Sequence, residues 1–184
     1  AGVKNRPLMS VNRDPNHPFR LSNSRKSSRE LFASETAVLL RNAFIETTEP
    51  IGFLEIPEHL KSEGDPRSYV VQSRGRTTDQ FREILKGAGA RIVSYIPHNS
   101  YLVQASSTVI AQLRLSPMVQ AALPYEPYYK LDRELLPLAI DEAELPVGHP
   151  VRIALFPGTK DEALKKIRNT GALVFGESEF PYGP

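Results

Sequence analysis

The chain has 184 residues, a net charge of +2, 40% hydrophobic and 24% charged residues, and no cysteine. This composition is typical of globular proteins, and the lack of cysteine excludes disulfides, thiolate catalysis and cysteine metal sites. No apolar run approaches the roughly 20 residues of a membrane span, so we expect no membrane partner. A net charge this small does not favour nucleic acid as a partner.

Residues 1–66 are interpreted as an irregular and helical N-terminal arm with a connector. Residues 1–29 carry seven basic side chains and one acidic one, which favours a solvated segment, with phosphate contact as the alternative. Ser27 followed by Glu30 forms a capping-box pattern that predicts the start of a helix. The apolar face of that helix is assigned to Leu31, Phe32, Val38 and Leu39. Residues 42–48 are predicted to be a strand because of their β-branched and aromatic content.

Residues 67–132 contain the clearest pattern in the chain. Apolar residues open a strand at Tyr69, and Phe81, Ile84 and Leu85 then form one stripe at helical spacing. Turn-forming residues 97–100 separate two further strands, and a second helix and a last strand follow. This strand–helix–strand–strand–helix–strand order predicts an α+β fold of the ferredoxin-like type, with both helices on one face of a four-stranded antiparallel sheet.

Two further regions follow this unit. Residues 133–149 are interpreted as an extended linker because they are rich in proline, and residues 135–140 are expected to be non-helical. Residues 150–184 repeat the first half of the pattern, with a strand up to Gly158, a helix opened by Asp161 and a Gly-Ala restart at Gly171. Two strands and one helix cannot close a core of this kind. The second copy is therefore predicted to be partial, so either another segment completes its sheet or this chain is one piece of a longer protein.

Motifs for catalysis, metal binding and cofactor binding are absent from the sequence. It contains no Gly-x-Ser-x-Gly, no His-Glu-x-x-His and no phosphate-binding glycine loop. His98 is interpreted as a solvated turn residue, with a catalytic role as the weaker alternative. The acidic residues 141–144 lack the alternation and glycine of a calcium loop, so they are interpreted as a solvated linker. We expect no catalytic residue, no metal and no cofactor in this chain.

A tyrosine-rich segment follows the last predicted strand and is the candidate site. Its prolines predict an extended path, and tyrosine is favoured at protein interfaces because it combines a large ring with a polar group. Packing of the rings on the chain's own sheet is the alternative. The predicted partner-binding residues are Tyr125, Glu126, Pro127, Tyr128, Tyr129, Lys130 and Leu131.

Four segments resemble a known family. They are residues 68–75 (SYVVQSRG), 85–90 (LKGAGA), 94–103 (SYIPHNSYLV) and 123–130 (LPYEPYYK). These segments are similar to the N-terminal propeptide-type domain of bacterial subtilisin-like serine proteases, or subtilases. The resemblance implies an intramolecular chaperone and inhibitor of the protease that follows it. In that family the sheet docks on the catalytic domain, and the segment after the last strand enters the substrate cleft in extended form.

The resemblance implies a prodomain-like region of a secreted or periplasmic serine endopeptidase. Its partner is expected to be the subtilisin-like catalytic domain of the same precursor. The catalytic Asp, His and Ser motifs of the family are missing here, so hydrolysis must reside elsewhere. Two alternatives remain open at this point: a free-standing protease inhibitor of the same fold, and a ferredoxin-like binding module.

Overall fold

The computed structural model describes residues 16–177. The chain divides into a first unit that ends at Glu144 and a second unit that begins at Leu145. The described residues form two β-sheets and six α-helices, which confirms the predicted α+β class. The first 15 residues of the predicted basic arm and the last seven of the predicted second copy lie outside the described range. No helix among the described residues is long and apolar enough to cross a membrane.

The first unit begins with a small sheet built around one short helix. Its elements are β1 (Leu21–Ser22), α1 (Ser28–Ala33), β2 (Ala37–Leu39) and β3 (Ala43–Glu46). Strand β3 lies in the centre, parallel to β1 and antiparallel to β2. The predicted capping box is confirmed: the Ser27 hydroxyl accepts from the Glu30 amide, and the Glu30 carboxylate accepts from the Ser27 amide. Two single 3₁₀ turns follow, Ile51–Phe53 and Glu58–Leu60.

The predicted helical assignment of Val38 and Leu39 is wrong. Helix α1 ends at Ala33, and both residues belong to β2, where Val38 pairs with Ile45. Val38 is fully buried and β-branched, and such a side chain packs well on a sheet, whereas only the spacing of the apolar residues favoured a longer helix. Residues 16–66 therefore contain a folded sheet in place of the expected arm.

The larger sheet has the predicted order of elements. Its elements are β4 (Ser68–Ser73), α2 (Asp79–Gly87), β5 (Arg91–Ile96), β6 (Ser100–Gln104), α3 (Ser107–Arg114) and β7 (Val119–Pro124). The strands lie in the order β5-β6-β4-β7, and every neighbouring pair is antiparallel. The N-cap hydroxyls of Thr78 and Ser106 accept from the amides of Phe81 and Val109, which sets where the two helices begin.

One face of this sheet packs against α2 and α3. Tyr69 and Val71 of β4 alternate onto that face and share a core with Phe81 and Leu85 of α2 and Ile110 of α3. All five side chains are buried.

The opposite face of the sheet is also covered. Ser68, Val70 and Gln72 of β4 point there, and all three are buried. The Gln72 amide nitrogen donates to the carbonyl of Glu35 (3.3 Å), and its amide oxygen accepts from the Thr47 hydroxyl (2.8 Å). The N-terminal sheet therefore covers the face that a helix-on-one-face sandwich would otherwise leave free.

Two glycines at the end of α2 provide a test of this part of the fold. Gly89 has φ +91°, a conformation that L side chains rarely adopt, whereas Gly87 is the last helical residue and has open space around it. We expect Gly89→Ala to destabilise the protein by about 1 kcal/mol, because the new Cβ meets only an ordinary contact and the backbone supplies the cost. Gly87→Ala should stabilise by about 0.5 kcal/mol. Thermal unfolding of both variants checks the opposite signs, and equal shifts would contradict this backbone assignment.

Residues 125–144 are more helical than expected. They form α4 (Pro127–Lys130) and α5 (Leu135–Ile140), so the extended, non-helical path predicted for 135–140 is wrong. Pro137 is the third residue of α5, where its missing amide hydrogen has no intrahelical partner to lose. The His59 imidazole contacts the carbonyl of Ala139 (2.8 Å) at the other end of α5.

The second unit contains the predicted helix, α6 (Lys160–Asn169). The two strands predicted beside it are not observed: residues 151–156 and 172–177 have no strand pairing. A strand exists only when a neighbour satisfies its backbone groups, and within the described part of this unit none does so.

Candidate functional site

The tyrosine-rich segment, residues 125–131, is a helical turn. Helix α4 begins at Pro127, directly after the N-cap residue Glu126, so the extended path predicted for this segment is wrong. Proline at the first helical position is favourable because its fixed φ suits a helix and its missing N–H would have no partner there. In the sequence, Pro127 favours an extended backbone as well as the first turn of a helix. Its position directly after Glu126, the N-cap residue, is the signal that could have indicated the turn.

The middle of the segment is built into the first unit. Tyr128 is fully buried, and its hydroxyl donates to the carbonyl of Phe19 (2.6 Å). The Asn42 amide nitrogen donates to the carbonyls of Tyr128 (3.0 Å) and Leu131 (2.7 Å). These bonds tie the end of the larger sheet to the N-terminal sheet across 86 to 109 residues of sequence.

The three tyrosine rings form one cluster. The ring of Tyr129 lies 6.1 Å from that of Tyr125 and 6.3 Å from that of Tyr128, the second pair edge to face. Burial raises the pKa of Tyr128 to about 12 and raises the pKa of Tyr129 as well. Burial raises the pKa of Tyr125 too, so all three phenols are neutral at ordinary pH. Burial also lowers the pKa of the Lys130 ammonium, which lies over the Tyr125 ring.

The seven predicted partner-binding residues thus divide into two groups. Tyr128 is fully buried and Tyr129 is 6% exposed, so neither can extend into a partner's cleft while this fold persists. The other five retain exposed surface: Tyr125, Glu126, Pro127, Lys130 and Leu131. Packing of the rings on the chain's own sheet, the alternative at the sequence level, describes the two central tyrosines.

A groove of about 260 Å³ lies beside the segment and was not predicted. Apolar side chains form most of its wall, and Lys61 and Glu126 add one charge of each sign. The apolar wall consists of Ile45, Ile51, Leu54, Ile56, Leu123, Pro124 and Tyr129. Close to it in sequence, Phe53 is 68% exposed. The sequence feature that could have indicated this groove is the cluster of large apolar residues at 51–56. The interpretation of residues 49–66 as a connector gave these residues no role.

His98 has a structural role. It lies in the β5–β6 turn with φ +65°, and its Nδ1 contacts the carbonyl of Ser34 (2.7 Å). Its own carbonyl accepts from Gln72 (3.0 Å). His98 lies in a turn as predicted, but its side chain is half-buried and contacts Ser34, so it is less solvated than expected. Among residues 16–177, no three His, Asp or Glu side chains are placed to hold a metal ion.

Asn42 tests how firmly the segment is held. We expect Asn42→Ala to cost about 2 kcal/mol, because two carbonyls that are largely shielded from water lose their donor. The effect should concentrate on residues 125–131, where amide hydrogen exchange should accelerate. Gln112→Ala, which removes an amide side chain at an exposed position of α3, is the matched control and should leave exchange in this segment unchanged. Unaltered exchange in Asn42→Ala would contradict the assigned role.

The described geometry defines a mixed α+β domain whose four-stranded sheet is buried on both faces at its central strands β4 and β6. A family model described as "Domain of unknown function (DUF8729)" matches residues 31–126. This match spans more than half of the chain, which belongs to that family. Its range begins inside α1 and ends at the N-cap of α4, so it includes most of the N-terminal sheet together with the larger one. No curated protein and no solved structure matches the chain.

Proposed function

We propose that this chain is the N-terminal prodomain-like region of a secreted subtilisin-like serine endopeptidase. It serves as a folding assistant, inhibitor or docking module for the catalytic domain of the same precursor, and that precursor is secreted or periplasmic. The observation that carries the proposal is the strand order β5-β6-β4-β7 with α2 and α3 on one face. This strand order supports the proposal because it is the order expected of the ferredoxin-like arrangement that the resemblance to subtilase propeptides implies.

The covered sheet bears on how such a domain would dock. Docking through the sheet face opposite the helices would require removal of the N-terminal sheet. Hydrogen bonds from Gln72 to Glu35 and from Thr47 to Gln72 hold that sheet in place. Entry of residues 125–131 into a cleft in extended form would require Tyr128 to leave a fully buried site. Both changes cost free energy that docking on an exposed surface avoids.

The groove and its surroundings are the docking surface in this proposal. Ile51 and Phe53 are 41% and 68% exposed, and aromatic and aliphatic side chains of this kind act as anchors when a partner buries them. Lys61 and Glu126 at the same groove set orientation through charge. Of the predicted segment, Tyr125, Glu126 and Lys130 remain available to the partner.

The experiment compares the complete open reading frame with a version that lacks residues 1–184. We expect the truncated protease to give at least about tenfold less active enzyme on refolding, because a folding assistant lowers the barrier to the native state. The chain supplied in trans during refolding should restore activity. Full activity of the truncated enzyme, with no effect of the added chain, would overturn the proposal.

A matched pair of variants locates the surface. Ile51→Asp places a charge in the wall of the groove, where the side chain is 41% exposed, whereas Leu115→Asp places it at the end of α3, where the side chain is 86% exposed. Ile51→Asp should weaken rescue in trans by about tenfold, and Leu115→Asp should not change it. Equal rescue by both variants would remove the groove from the docking surface.

A further inference from the structure

The second unit exposes apolar side chains on both segments that flank α6. Ile153 is 53% exposed, Leu173 is 77% exposed and Phe175 is 90% exposed, and Val151 and Leu155 are also exposed. Residues 151, 153 and 155 are apolar at alternate positions, which in a strand places them on one face. Two apolar segments that have no strand partner among residues 16–177 are typical of a surface that associates with another chain.

The backbone of this unit repeats the first half of the larger sheet. In the first unit, Gly75 and Gly89 flank α2 with φ +87° and +91°. In the second unit, Gly158 and Gly171 flank α6 with φ +78° and +80°. The spacing from helix to restart is also the same, because Gly89 and Gly171 each stand ten residues after the Asp of the first helical turn. The second unit therefore has the local geometry of a β4–α2–β5 half.

Such a half cannot pair its own two strands. In the first unit β4 and β5 are not neighbours, because β6 of the other half lies between them. The burial of equivalent helix residues also depends on a second half. Leu85 of α2 lies six residues after Asp79 and is fully buried. Ile167 of α6 lies six residues after Asp161 and is only half-buried. The second unit has an opening for one strand from a second strand–helix–strand half.

We propose that a second copy of this chain supplies that half, so that two second units form one four-stranded sheet with two helices. The first unit shows the template: its two successive halves join through antiparallel β4 and β6. Two such halves are related by an approximate two-fold axis, so a half is complementary to itself, and a two-fold dimer reuses the same surface on both copies. This proposal does not depend on the proposed function.

The sequence of residues 151–156 is compatible with a two-fold dimer axis that passes through Ile153. Antiparallel pairing about that residue places Ile153 opposite its own copy and Val151 opposite Leu155. Arg152, the one charged residue of 151–156, then lies opposite Ala154, so no like charges meet. The apolar side chains of both copies face the same side, where the α6 helices cover them.

The first test measures mass against concentration. Sedimentation of the full chain from about 1 to about 200 µM should show conversion from 20.5 kDa to about 41 kDa. Ile153→Lys should raise the dimer dissociation constant at least about 100-fold, because two lysines would meet at the axis. Leu115→Lys, the same change at an exposed site of the first unit, should have no effect. A monomer at every concentration, or a dimer that Ile153→Lys leaves intact, overturns the proposal.

The second test uses the absence of cysteine in the chain. Directly opposed residues of an antiparallel pair have Cα atoms about 4.5–5.5 Å apart, which is within disulfide range. Ile153→Cys should therefore form a covalent dimer under mild oxidation, at least about tenfold faster than Leu115→Cys. Equal rates for the two variants would show that Ile153 does not lie at a two-fold axis.

Discussion

Tyr128→Ala is expected to destabilise the first unit by about 3–5 kcal/mol, the cost of removing a fully buried aromatic side chain. Tyr128 has no exposed surface and is the largest of the fully buried residues. Its loss leaves a cavity, and the carbonyl of Phe19 loses its donor. Small domains are stable by only about 5–15 kcal/mol, so this single change removes a large part of the stability.

Two further variants separate the contributions. Tyr128→Phe keeps the ring and loses only the hydroxyl, so it should cost about 1 kcal/mol. Tyr95→Ala is the matched control because Tyr95 is 54% exposed on β5, and it should cost about 1 kcal/mol or less. Urea unfolding of the three variants, followed by far-UV circular dichroism, measures the series. A loss in Tyr128→Ala no larger than in Tyr95→Ala would show that residues 125–131 are not part of the core.

This result bears directly on the tyrosine-rich segment as a partner-binding site. If Tyr128 carries several kcal/mol of stability, a partner that extracts it must supply at least that amount. Contacts through Tyr125, Glu126 and Lys130 avoid this cost because those side chains already have exposed surface. The structure therefore favours recognition of the folded segment over its insertion as an extended strand.

Local patterns in the sequence predicted local structure well. Ser27 and Glu30 interact three residues apart, so the capping box could be recognised without knowledge of the fold. The larger sheet was also predictable, because alternating apolar residues and short turns favour one arrangement of four strands and two helices. Helix–strand ambiguity caused the error at Val38, where apolar spacing fitted a helix but pairing with β3 favoured a strand.

Contacts between distant residues could not be predicted in this way. The partner of the Tyr128 hydroxyl lies 109 residues away at Phe19, and nothing in either local sequence indicates the other. The N-terminal sheet covers the face of the larger sheet opposite α2 and α3, and one of its contacts there is the hydrogen bond between Gln72 and Thr47, which are 25 residues apart. A buried Gln in the middle of an apolar strand was a usable signal, because such a side chain needs polar partners from another layer.

Glu46 carries the second large expected effect. Its carboxylate is fully buried in β3 and accepts from the Lys26 ammonium (2.7 Å) and from the hydroxyls of Ser34 (2.8 Å) and Thr48 (2.9 Å). Burial alone would raise its pKa, but the hydrogen bonds, that from Lys26 foremost, outweigh burial and lower the pKa from 4.5 to about 2. The N-terminal sheet is therefore organised around a charged group that is fully compensated.

We expect Glu46→Gln to cost about 2–4 kcal/mol at pH 7, because the Lys26 ammonium loses its counter-charge and cannot accept a hydrogen bond from the new amide. Glu58→Gln is the matched control: Glu58 also pairs with a lysine, Lys61 (2.6 Å), but its side chain is 88% exposed. A surface pair of this kind contributes about 0.5 kcal/mol or less. Urea unfolding at pH 7 compares the two variants, and equal losses would contradict the importance of burial at Glu46.

The pH dependence of the free energy of unfolding separates the effect of charge from the effect of packing at Glu46. Because the folded pKa of Glu46 lies below its ordinary value, its contribution is complete above about pH 4.5 and is lost as the pH falls towards about 2. Asp65, whose pKa is lowered to about 2 by the Ser107 and Arg67 amides and by Tyr69, titrates in the same window. Its effect is present in both the wild type and Glu46→Gln, so the difference between the two stability curves isolates Glu46. That difference should shrink between pH 4.5 and pH 2, whereas a constant difference would mean that shape, and not charge, makes Glu46 necessary.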